Sequence, residues 1–560
     1  MWDFLKRQKL QRKGYSCGKK RREQNRSEWV EALSGSPYVR ALIVAAFVCA
    51  MGMMVRMLDG SSVFWNLGDG PLIGIGCLGT IILMAVAHLR IYLSPCYASN
   101  GRFLLTFLAL LLQLTLLQGT AFLVRLNQFP ESSVIYFAPL ALAPMVLTLL
   151  LGPPHGLFAV IYGSLLGTLL THADLGLKFT IVSAASGWAA VRATQSLRKR
   201  GSLMRAGFYA GLAGVAACAL LGQMEPVWHS PGSLASWKKL ATEAPTMLLA
   251  GILTATIAGS LLPLLEGLFR ITTTVSWLEL GDLNHPLLRR MTLEAPGTWH
   301  HSLMVANLAE AAAIDVGANP TICRVCSLFH DVGKLNKPEY YIENTNGIEN
   351  PHNDLTPSMS ALVVISHVKD GVDLALKHKL NPKIIEVIQQ HHGNSLIVYF
   401  HRRALDQQEE IKKLVAEGKV PEEDIPEVSE ASFRYPGPKP DFRESAIISL
   451  ADAVESASRS LSKPTPSRIE ALVDEIIRAR ARDGQLDECD LTMSELKTVR
   501  DSFSKTLRTA LHRRIPYPGE KEKETRLKDE TRAGRIESAA DRPRPVQRPA
   551  TTVIARQQAG

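Results

Sequence analysis

Hydrophobic positions divide the chain into two parts with different patterns. In the first part, apolar runs alternate with short polar interruptions, and several reach the roughly 17 to 25 residues that a membrane-spanning helix needs. The runs cover residues 41–58, 71–93, 103–124, 133–151, 156–172, 177–191, 207–224 and 245–269. This pattern predicts a polytopic transmembrane module of about eight helices over residues 41–270. The short, Gly-rich runs at 156–172 and 177–191 are its least typical members.

From residue 271 the pattern becomes that of a helical domain outside the membrane. Amphipathic segments alternate with turns as far as residue 511, and signals for strands are sparse. The predicted fold is therefore all-α, with a transmembrane helical module followed by a helical domain over residues 271–518. Residues 519–560 alternate in charge and become rich in Pro and Arg, which is typical of a disordered tail.

The formal net charge of +10 is concentrated at the two ends of the chain. Residues 1–30 hold ten Lys or Arg against three Asp or Glu, and residues 520–560 hold ten against seven, so +7 and +3 account for all of it. Because the body between them is neutral, we expect no binding to DNA or RNA. The basic arm, residues 1–40, is interpreted as a cytoplasmic segment whose charge also suits anionic membrane lipid.

The basic residues also predict how the module is oriented. Lys and Arg near membrane helices favour the cytoplasmic side, which places both the arm and the basic cluster between residues 192 and 205 there. Eight crossings satisfy both positions and return the chain to the cytoplasm after residue 269. The sequence thus predicts a multi-pass membrane protein with its helical domain in the cytoplasm.

Candidate chemistry is centred on the motif His330-Asp331-Val332-Gly333-Lys334. An apolar, helix-like run ends at this motif, and Gly333 is expected to let the backbone turn, so that two metal-binding side chains lie at a helix end. A His-Asp pair alone is a weak signal, because it is more often a surface hydrogen bond than a pair of ligands.

Further imidazoles and a carboxylate occur on predicted helices on either side of this motif. A turn at residues 296–298 opens the helix that carries His301, while His367, His391, His392 and Asp452 follow downstream. An ionised carboxylate such as that of Asp452 in an apolar helix is costly unless a cation or hydrogen-bond donors satisfy it. A metal site is the simplest single explanation for all of these groups.

Cysteine chemistry is not indicated. Cys323 and Cys326 form a CxxC without a second pair, which argues against a zinc ribbon, and the eight cysteines are too scattered for a disulfide framework.

Several ordered motifs resemble those of the multi-pass membrane HD phosphodiesterases that degrade cyclic di-AMP in bacteria. Besides the His-Asp motif they include Gln390-His391-His392-Gly393 and a Pro-rich loop at residues 433–440. The remaining blocks lie at residues 262–266, 283–288, 294–302, 348–352, 483–488 and 514–518. The resemblance is close over about residues 260–518 and architectural in the membrane module.

The resemblance implies a site with two divalent metal ions. It assigns His301, His330, Asp331 and Asp452 to one ion and His367, His391 and His392 to the other, with Asp331 bridging. Imidazole and carboxylate ligands without thiolate suit Mn²⁺, Fe²⁺ or one of each. Such a pair, about 3.5–4 Å apart, polarises a phosphodiester and activates water, and Lys334 is expected to neutralise charge on the phosphate. His300, His352, His378 and His401 are not expected to be ligands.

Two departures from the family pattern bear on function. The interval at residues 59–70 has no room for the large extracytoplasmic domain that family members usually carry between their first two membrane helices. The Gly-Tyr-Pro signature of the related branch that hydrolyses cyclic di-GMP is missing after the His-Asp pair, which favours the adenine substrate.

The resulting hypothesis is a membrane-anchored phosphodiesterase that cleaves cyclic di-AMP to linear pApA. Two alternatives stay open at this point. One is an HD enzyme that acts on another nucleotide, such as cyclic di-GMP or a guanosine polyphosphate, and the other is a membrane receptor that binds nucleotide without turnover. The sequence leaves the oligomeric state open, a homo-oligomer included.

Overall fold

The computed structural model describes residues 34–58, 60–67, 71–195, 197, 201–224, 233–345, 350–461 and 464–511. Most of the predicted basic arm, the predicted tail and the motif at residues 514–518 lie outside the described residues.

The first part of the described chain is a set of helices joined by short connections. They are α1 (Pro37–Arg56), α2 (Val63–Asn66), α3 (Pro71–Tyr92), α4 (Ser94–Ala98), α5 (Asn100–Leu126), α6 (Val134–Phe137), α7 (Leu142–Leu151), α8 (Pro153–Leu169), α9 (Gly176–Thr194), α10 (Ser202–Leu220) and α11 (Leu234–Phe269). Each of the eight predicted apolar runs overlaps one or more of these helices.

Six helical segments of the described chain are long and apolar enough to cross a membrane. They are α1, α3, α5, the segment Glu131–Leu151, α10 and α11. Helices α8 and α9, which correspond to the two short, Gly-rich runs, are outside this set and pack against α7 and α10 respectively. The number of crossings, eight, therefore stays a prediction.

Two membrane segments differ in detail from the apolar pattern. Helix α11 is 36 residues long and begins at Leu234, so it extends well before the predicted run at 245–269. The segment Glu131–Leu151 is broken between α6 and α7, where the side-chain Oε1 of Gln113 accepts a hydrogen bond from the backbone N–H of Ala143 at 2.8 Å. This contact satisfies one polar group freed by the break, as an apolar environment requires.

The second part of the chain is also helical. Its helices are α12 (Thr274–Leu280), α13 (Pro286–Glu294), α14 (Pro296–Val316), α15 (Pro320–Phe329), α16 (Pro357–Lys377), α17 (Pro382–Gln390), α18 (Val398–Ala416), α19 (Arg443–Ser458), α20 (Pro466–Arg482) and α21 (Met493–Ala510). Extended pairing among the described residues is limited to two isolated bridges, Ser62 with His172 and Leu396 with Arg434. The prediction of an all-α fold is confirmed for the described residues.

Two large hydrophobic cores lie on either side of the junction near residue 270. One runs from Phe47 to Leu262 and the other from Trp277 to Leu507. In the second core, α14 packs against α15, α19 and α21, so the helix that carries His301 lies at its centre.

The junction itself is tied to both parts by hydrogen bonds. Near the end of α11, the Glu266 carboxylate accepts hydrogen bonds from the backbone N–H of Thr273 at 3.0 Å and from Ser276 Oγ at 2.8 Å. The side-chain amide of Asn381 donates to Thr272 Oγ1 at 2.7 Å. Because Asn381 is the N-cap of α17, the junction directly contacts the helix that ends at His391.

Candidate metal centre

Helix ends and buried helix faces deliver the seven predicted ligands to one place. Helix α15 ends at Phe329, directly before His330, and α17 ends at Gln390, directly before His391. Asp331 and His392 follow in the turns just after these helix ends. The other three ligands lie within helices, His301 on α14, His367 on α16 and Asp452 on α19.

Gly333 is needed at the His-Asp motif for a reason other than the predicted one. The backbone after Asp331 continues into a short 3₁₀ segment, Val332–Asn336, and Gly333 is not among the residues of positive φ. A Cβ atom on Gly333 would instead lie 1.9 Å from the carbonyl oxygen of His367. The absence of a side chain therefore lets the motif pack directly against the backbone of α16.

The carboxylate of Asp331 lies between two groups of imidazoles. Its Oδ2 is 3.4 Å from His301 Nε2 and 3.3 Å from His330 Nε2. Its Oδ1 is 3.3 Å from His367 Nε2 and 3.7 Å from His391 Nε2. One oxygen thus faces each group, which is the arrangement that a bridging carboxylate requires.

The remaining ligands complete two adjoining half-sites. We define half-site A as His301, His330 and Asp452, and half-site B as His367, His391 and His392. The ligand atoms of half-site A lie within 4.8 Å of one another, and the same limit holds for half-site B with Asp331 included. The structure therefore brings together all seven residues that the sequence singled out.

Main-chain carbonyls orient three of the imidazoles. The Nδ1 atom lies 2.7 Å from the Ser327 carbonyl oxygen in His330, 2.6 Å from that of Val364 in His367, and 2.9 Å from that of Ile388 in His391. Each carbonyl belongs to the residue three positions earlier. With Nδ1 donating to these carbonyls, Nε2 of each ring is directed at the centre, where it can ligate a metal once it carries no proton.

His301 has a carboxylate partner instead. Its Nδ1 is hydrogen-bonded to the buried carboxylate of Glu455, which also accepts a hydrogen bond from Arg459 at 2.8 Å. Carboxylates in this position orient a ligating imidazole and raise its basicity. Glu455 was not predicted from the sequence, although its position three residues after Asp452 places it on the same side of α19.

Burial and neighbouring charges control the ionisation of the carboxylates. Burial raises the pKa of Asp331, but the ammonium of Lys334 and the charge of His330 outweigh it and hold the pKa well below its usual range. The pKa of Asp452 is likewise held low against burial, by the neighbouring imidazoles of His301 and His330. Both carboxylates are therefore ionised and suited to a cation.

The imidazoles of the two half-sites differ in the direction in which their pKa values are shifted. In half-site B, burial lowers the pKa of all three, and together with the charge of His330 it lowers the pKa of His391 to about 3. In half-site A, burial opposes protonation, but the charge of Asp331 raises the pKa of His330 to about 10. Half-site B thus presents neutral imidazoles, while half-site A holds protons that a cation would replace.

Lys334 also lies at the centre. Its Nζ is 2.8 Å from Asp331 Oδ2 and 2.9 Å from Glu343 Oε1, and it stands over the Tyr341 ring at 5.0 Å from the centroid. The lysine was predicted from the sequence, but Glu343 was not. A second aromatic contact, also missed, is made by Tyr435, whose ring stacks on His392 with centroids 4.2 Å apart.

The other histidines named in the sequence analysis are not part of the cluster. His300 is exposed, His352 Nε2 lies 2.9 Å from the Tyr340 carbonyl oxygen, and His401 packs on Phe433. His378 lies beside His285, with ring centroids 6.4 Å apart.

The donor atoms fit divalent cations. His330 Nε2 and Asp331 Oδ1 are buried and have no hydrogen-bond partner, which is costly unless another group satisfies them. Imidazole nitrogen and carboxylate oxygen are ligands of Mn, Fe and Zn ions, and a cation in each half-site would satisfy both atoms.

Comparisons with known proteins agree with this two-part architecture. A family model described as a 7TM receptor with intracellular HD hydrolase matches residues 69–273, and the HD domain model matches residues 298–457. The chain belongs to the multi-pass membrane HD family. Six helical segments of the described residues are suited to spanning, and this member of the family is a multi-pass membrane protein.

Similar proteins include two curated members named cyclic-di-AMP phosphodiesterase PgpH. The one from Listeria monocytogenes is 36% identical over 392 residues, which cover 70% of this chain and 51% of that protein. The one from Bacillus subtilis is 42% identical over 280 residues, which cover 49% of this chain and 37% of that protein. The chain thus spans about half the length of the first of these relatives and less of the second.

A crystal structure of the HD domain of L. monocytogenes PgpH in complex with cyclic-di-AMP is 42% identical to this chain. The match covers 41% of this chain and 99% of that one, with a TM-score of 0.37.

Proposed function

We propose that the protein is a metal-dependent phosphodiesterase that hydrolyses cyclic di-AMP to linear pApA. The observation that carries the proposal is the placement of Asp331, with one carboxylate oxygen facing each of two imidazole groups. The names of the relatives, cyclic-di-AMP phosphodiesterases, support the substrate.

In this proposal, seven side chains would hold two divalent cations, one at half-site A and one at half-site B, with Asp331 contributing to both. Bound cations polarise a phosphodiester and lower the pKa of water, which supplies a nucleophile at neutral pH. The identity of the ions, Mn²⁺, Fe²⁺ or one of each, is inferred from the ligand types, since thiolates are absent from the ligand set.

The protein's own groups supply orientation and charge. Lys334 has its ammonium 2.8 Å from Asp331, so a phosphate bound between the half-sites would lie beside a positive charge. The carbonyl partners of three imidazoles and Glu455 behind His301 keep the ligand atoms directed at the centre. Such preorganisation lowers the cost of reaching the transition state.

We also infer that the catalytic domain is cytoplasmic and that the protein lies in the bacterial inner membrane. The basic cluster between residues 192 and 205 and the basic arm support this orientation, and the arm also suits anionic lipid. A cytoplasmic reporter fused after Gly560 should be active, whereas activity of a reporter that works only outside the membrane would contradict the orientation.

The substrate assignment is tested by a panel of cyclic dinucleotides with the purified full chain in detergent and Mn²⁺. Cyclic di-AMP should be hydrolysed at least about tenfold faster than cyclic di-GMP, a difference of about 1.4 kcal/mol in transition-state binding. Faster hydrolysis of cyclic di-GMP would contradict the substrate, and binding of either nucleotide without any turnover would favour a receptor.

A matched pair of variants connects the activity to the site. Asp331→Asn should inactivate the protein, whereas Asp315→Asn, an exposed position on α14, should keep the rate of the unchanged protein. Equal activity of the two variants would show that the hydrolysis arises elsewhere.

A further inference from the structure

Glu343 is a mostly buried carboxylate beside the metal centre to which the proposed mechanism gives no role. It belongs to a short 3₁₀ segment, Ile342–Asn344, and the exposed fraction of its side chain is 14%. Its Oε1 lies 2.9 Å from Lys334 Nζ, nearly the same distance as separates that ammonium from Asp331. The lysine is therefore held between two carboxylates.

The two carboxylates, Asp331 and Glu343, differ in their other contacts. Asp331 faces four imidazoles and is the proposed bridging ligand, so its charge is shared with the cations of the site. Lys334 would then be repelled by those cations and attracted less strongly by Asp331. Glu343 touches none of the ligands and keeps its full charge for the lysine.

Helix α14 fixes the position of Glu343. The hydroxyl of Thr298 donates to Glu343 Oε1 at 3.1 Å, and the side chain of Asn344 accepts a hydrogen bond from the Thr298 backbone N–H at 3.1 Å. The segment also packs very closely against the helix, since a Cβ atom on Gly297 would lie 1.9 Å from the Glu343 carbonyl oxygen. The helix that carries His301 thus also positions the partner of Lys334.

Tyr341 completes this arrangement. Its ring is buried and lies beneath the lysine ammonium, with 5.0 Å between Nζ and the ring centroid. A free lysine side chain has about 2 kcal/mol of rotamer entropy to lose when it is fixed. Contacts on three sides, from Asp331, Glu343 and Tyr341, remove that freedom before a substrate binds.

We propose that Glu343 is a positioning residue that holds the Lys334 ammonium at the reacting phosphate. This inference rests on the proposed function, because it assumes that Lys334 acts on a phosphodiester. It predicts an effect on the rate of the chemical step, since charge that develops on the phosphate is greatest in the transition state. Metal binding should not change, because Glu343 touches no ligand.

A double-mutant cycle tests the proposal with the full chain in detergent. The variants are Glu343→Gln, Lys334→Met and the two combined, and Glu294→Gln, an exposed carboxylate paired with Arg290, is the matched control. Each is assayed on cyclic di-AMP and on bis(p-nitrophenyl) phosphate, a phosphodiester without a nucleobase. Bound metal per chain is measured alongside.

Glu343→Gln should lower kcat about 10- to 100-fold, the range typical of residues that support a metal site without binding the metal. KM should change by less than about threefold. The combined variant should be no slower than Lys334→Met alone, because Glu343 acts only through the lysine. Metal content should stay that of the unchanged protein.

Two results would overturn the proposal. One is a combined variant whose loss equals the product of the two single losses, and the other is a Glu343→Gln variant with unchanged kcat. Cleavage of bis(p-nitrophenyl) phosphate without cleavage of cyclic di-AMP would refute the substrate, while the cycle on the simple diester would still decide the role of Glu343.

A second pair of variants applies if Glu343→Gln does not fold. Thr298→Val removes the hydroxyl that holds Glu343 and should lower kcat roughly threefold to tenfold, the effect of losing about one hydrogen bond. Thr298→Ser keeps the hydroxyl and should restore the rate. Equal rates for the valine and serine variants would contradict a positioning role.

Discussion

The two halves of the metal centre offer different groups to a cation. Half-site A contains the carboxylate of Asp452, and a second carboxylate, Glu455, stands behind its ligand His301. Half-site B contains three imidazoles that burial keeps neutral. Asp331 contacts both halves, and Asp452 also lies near half-site B, with its Oδ2 3.5 Å from His392 Nδ1.

This difference has a consequence for affinity. Negative charge in and behind half-site A strengthens its attraction for a divalent ion. Half-site B has three neutral imidazoles, its share of Asp331 and a longer contact with Asp452, which lies 3.5 Å from His392 but 3.1 Å from His301. We therefore expect the cation of half-site B to be the first removed by a chelator. Retention of both ions to the same chelator concentration would contradict this asymmetry.

The largest effect should come from the residue common to both halves. Asp331→Asn removes the shared charge, so bound metal per chain should fall. Turnover should drop by at least about 100-fold, which is the upper limit for residues that only hydrogen-bond to a metal ligand. Metal analysis together with the hydrolysis rate measures both. His352→Gln is the control, because His352 lies outside the cluster, and it should cost far less.

Asp452→Asn and His391→Gln separate the two halves. The first removes the charge of half-site A, and the second removes one neutral ligand of half-site B. We expect Asp452→Asn to cause the greater loss of metal retained after dialysis against a chelator, because it removes the more tightly held ion. A greater loss from His391→Gln would reverse the assignment of the tight site.

A smaller effect is expected behind half-site A. Glu455→Gln keeps a hydrogen-bond acceptor beside His301 but removes the charge, and should weaken metal binding there about 10- to 100-fold. Titration of the metal-depleted protein with Mn²⁺ should show one weakened and one unchanged site. Weakening of both sites equally would mean that Glu455 supports the whole fold of the centre rather than His301.

The close contact between Gly333 and the backbone of α16 is tested by Gly333→Ala. The new methyl group would meet the His367 carbonyl oxygen, so we expect a loss of about 1–3 kcal/mol of stability and a fall in the apparent melting temperature. Gly267→Ala is the control, since a Cβ there meets nothing within 4 Å and the position is helical. Equal melting temperatures would show that α16 moves away at little cost.

The sequence predicted the membrane part in outline because lipid imposes a minimum length of apolar residues on each spanning helix. It did not reveal the break between α6 and α7, which lies within one continuous apolar run. Gln113, thirty residues earlier, accepts a hydrogen bond from Ala143 at this break, and such a contact has no local signal. The early start of α11 was missed because residues 234–244 are too polar to extend an apolar run.

In the candidate site, the ligands could be proposed from sequence because they lie on apolar helices and at helix ends. Their partners could not. Glu455 meets His301 across 154 positions, and Glu343 meets Thr298 across 45. The role predicted for Gly333 was wrong for a related reason, since its close contact is with a residue of another helix. Contacts between distant elements decide these roles.

Hydrolysis of cyclic di-AMP in ¹⁸O-labelled water tests the central claim most directly. The metal-reconstituted full chain should release pApA with one solvent oxygen on its 5′ phosphate, because water adds to phosphorus as the bond to the 3′ oxygen breaks. The metal-depleted protein should release none. A product phosphorylated at the 3′ position, label elsewhere, or equal turnover without metal would contradict the account.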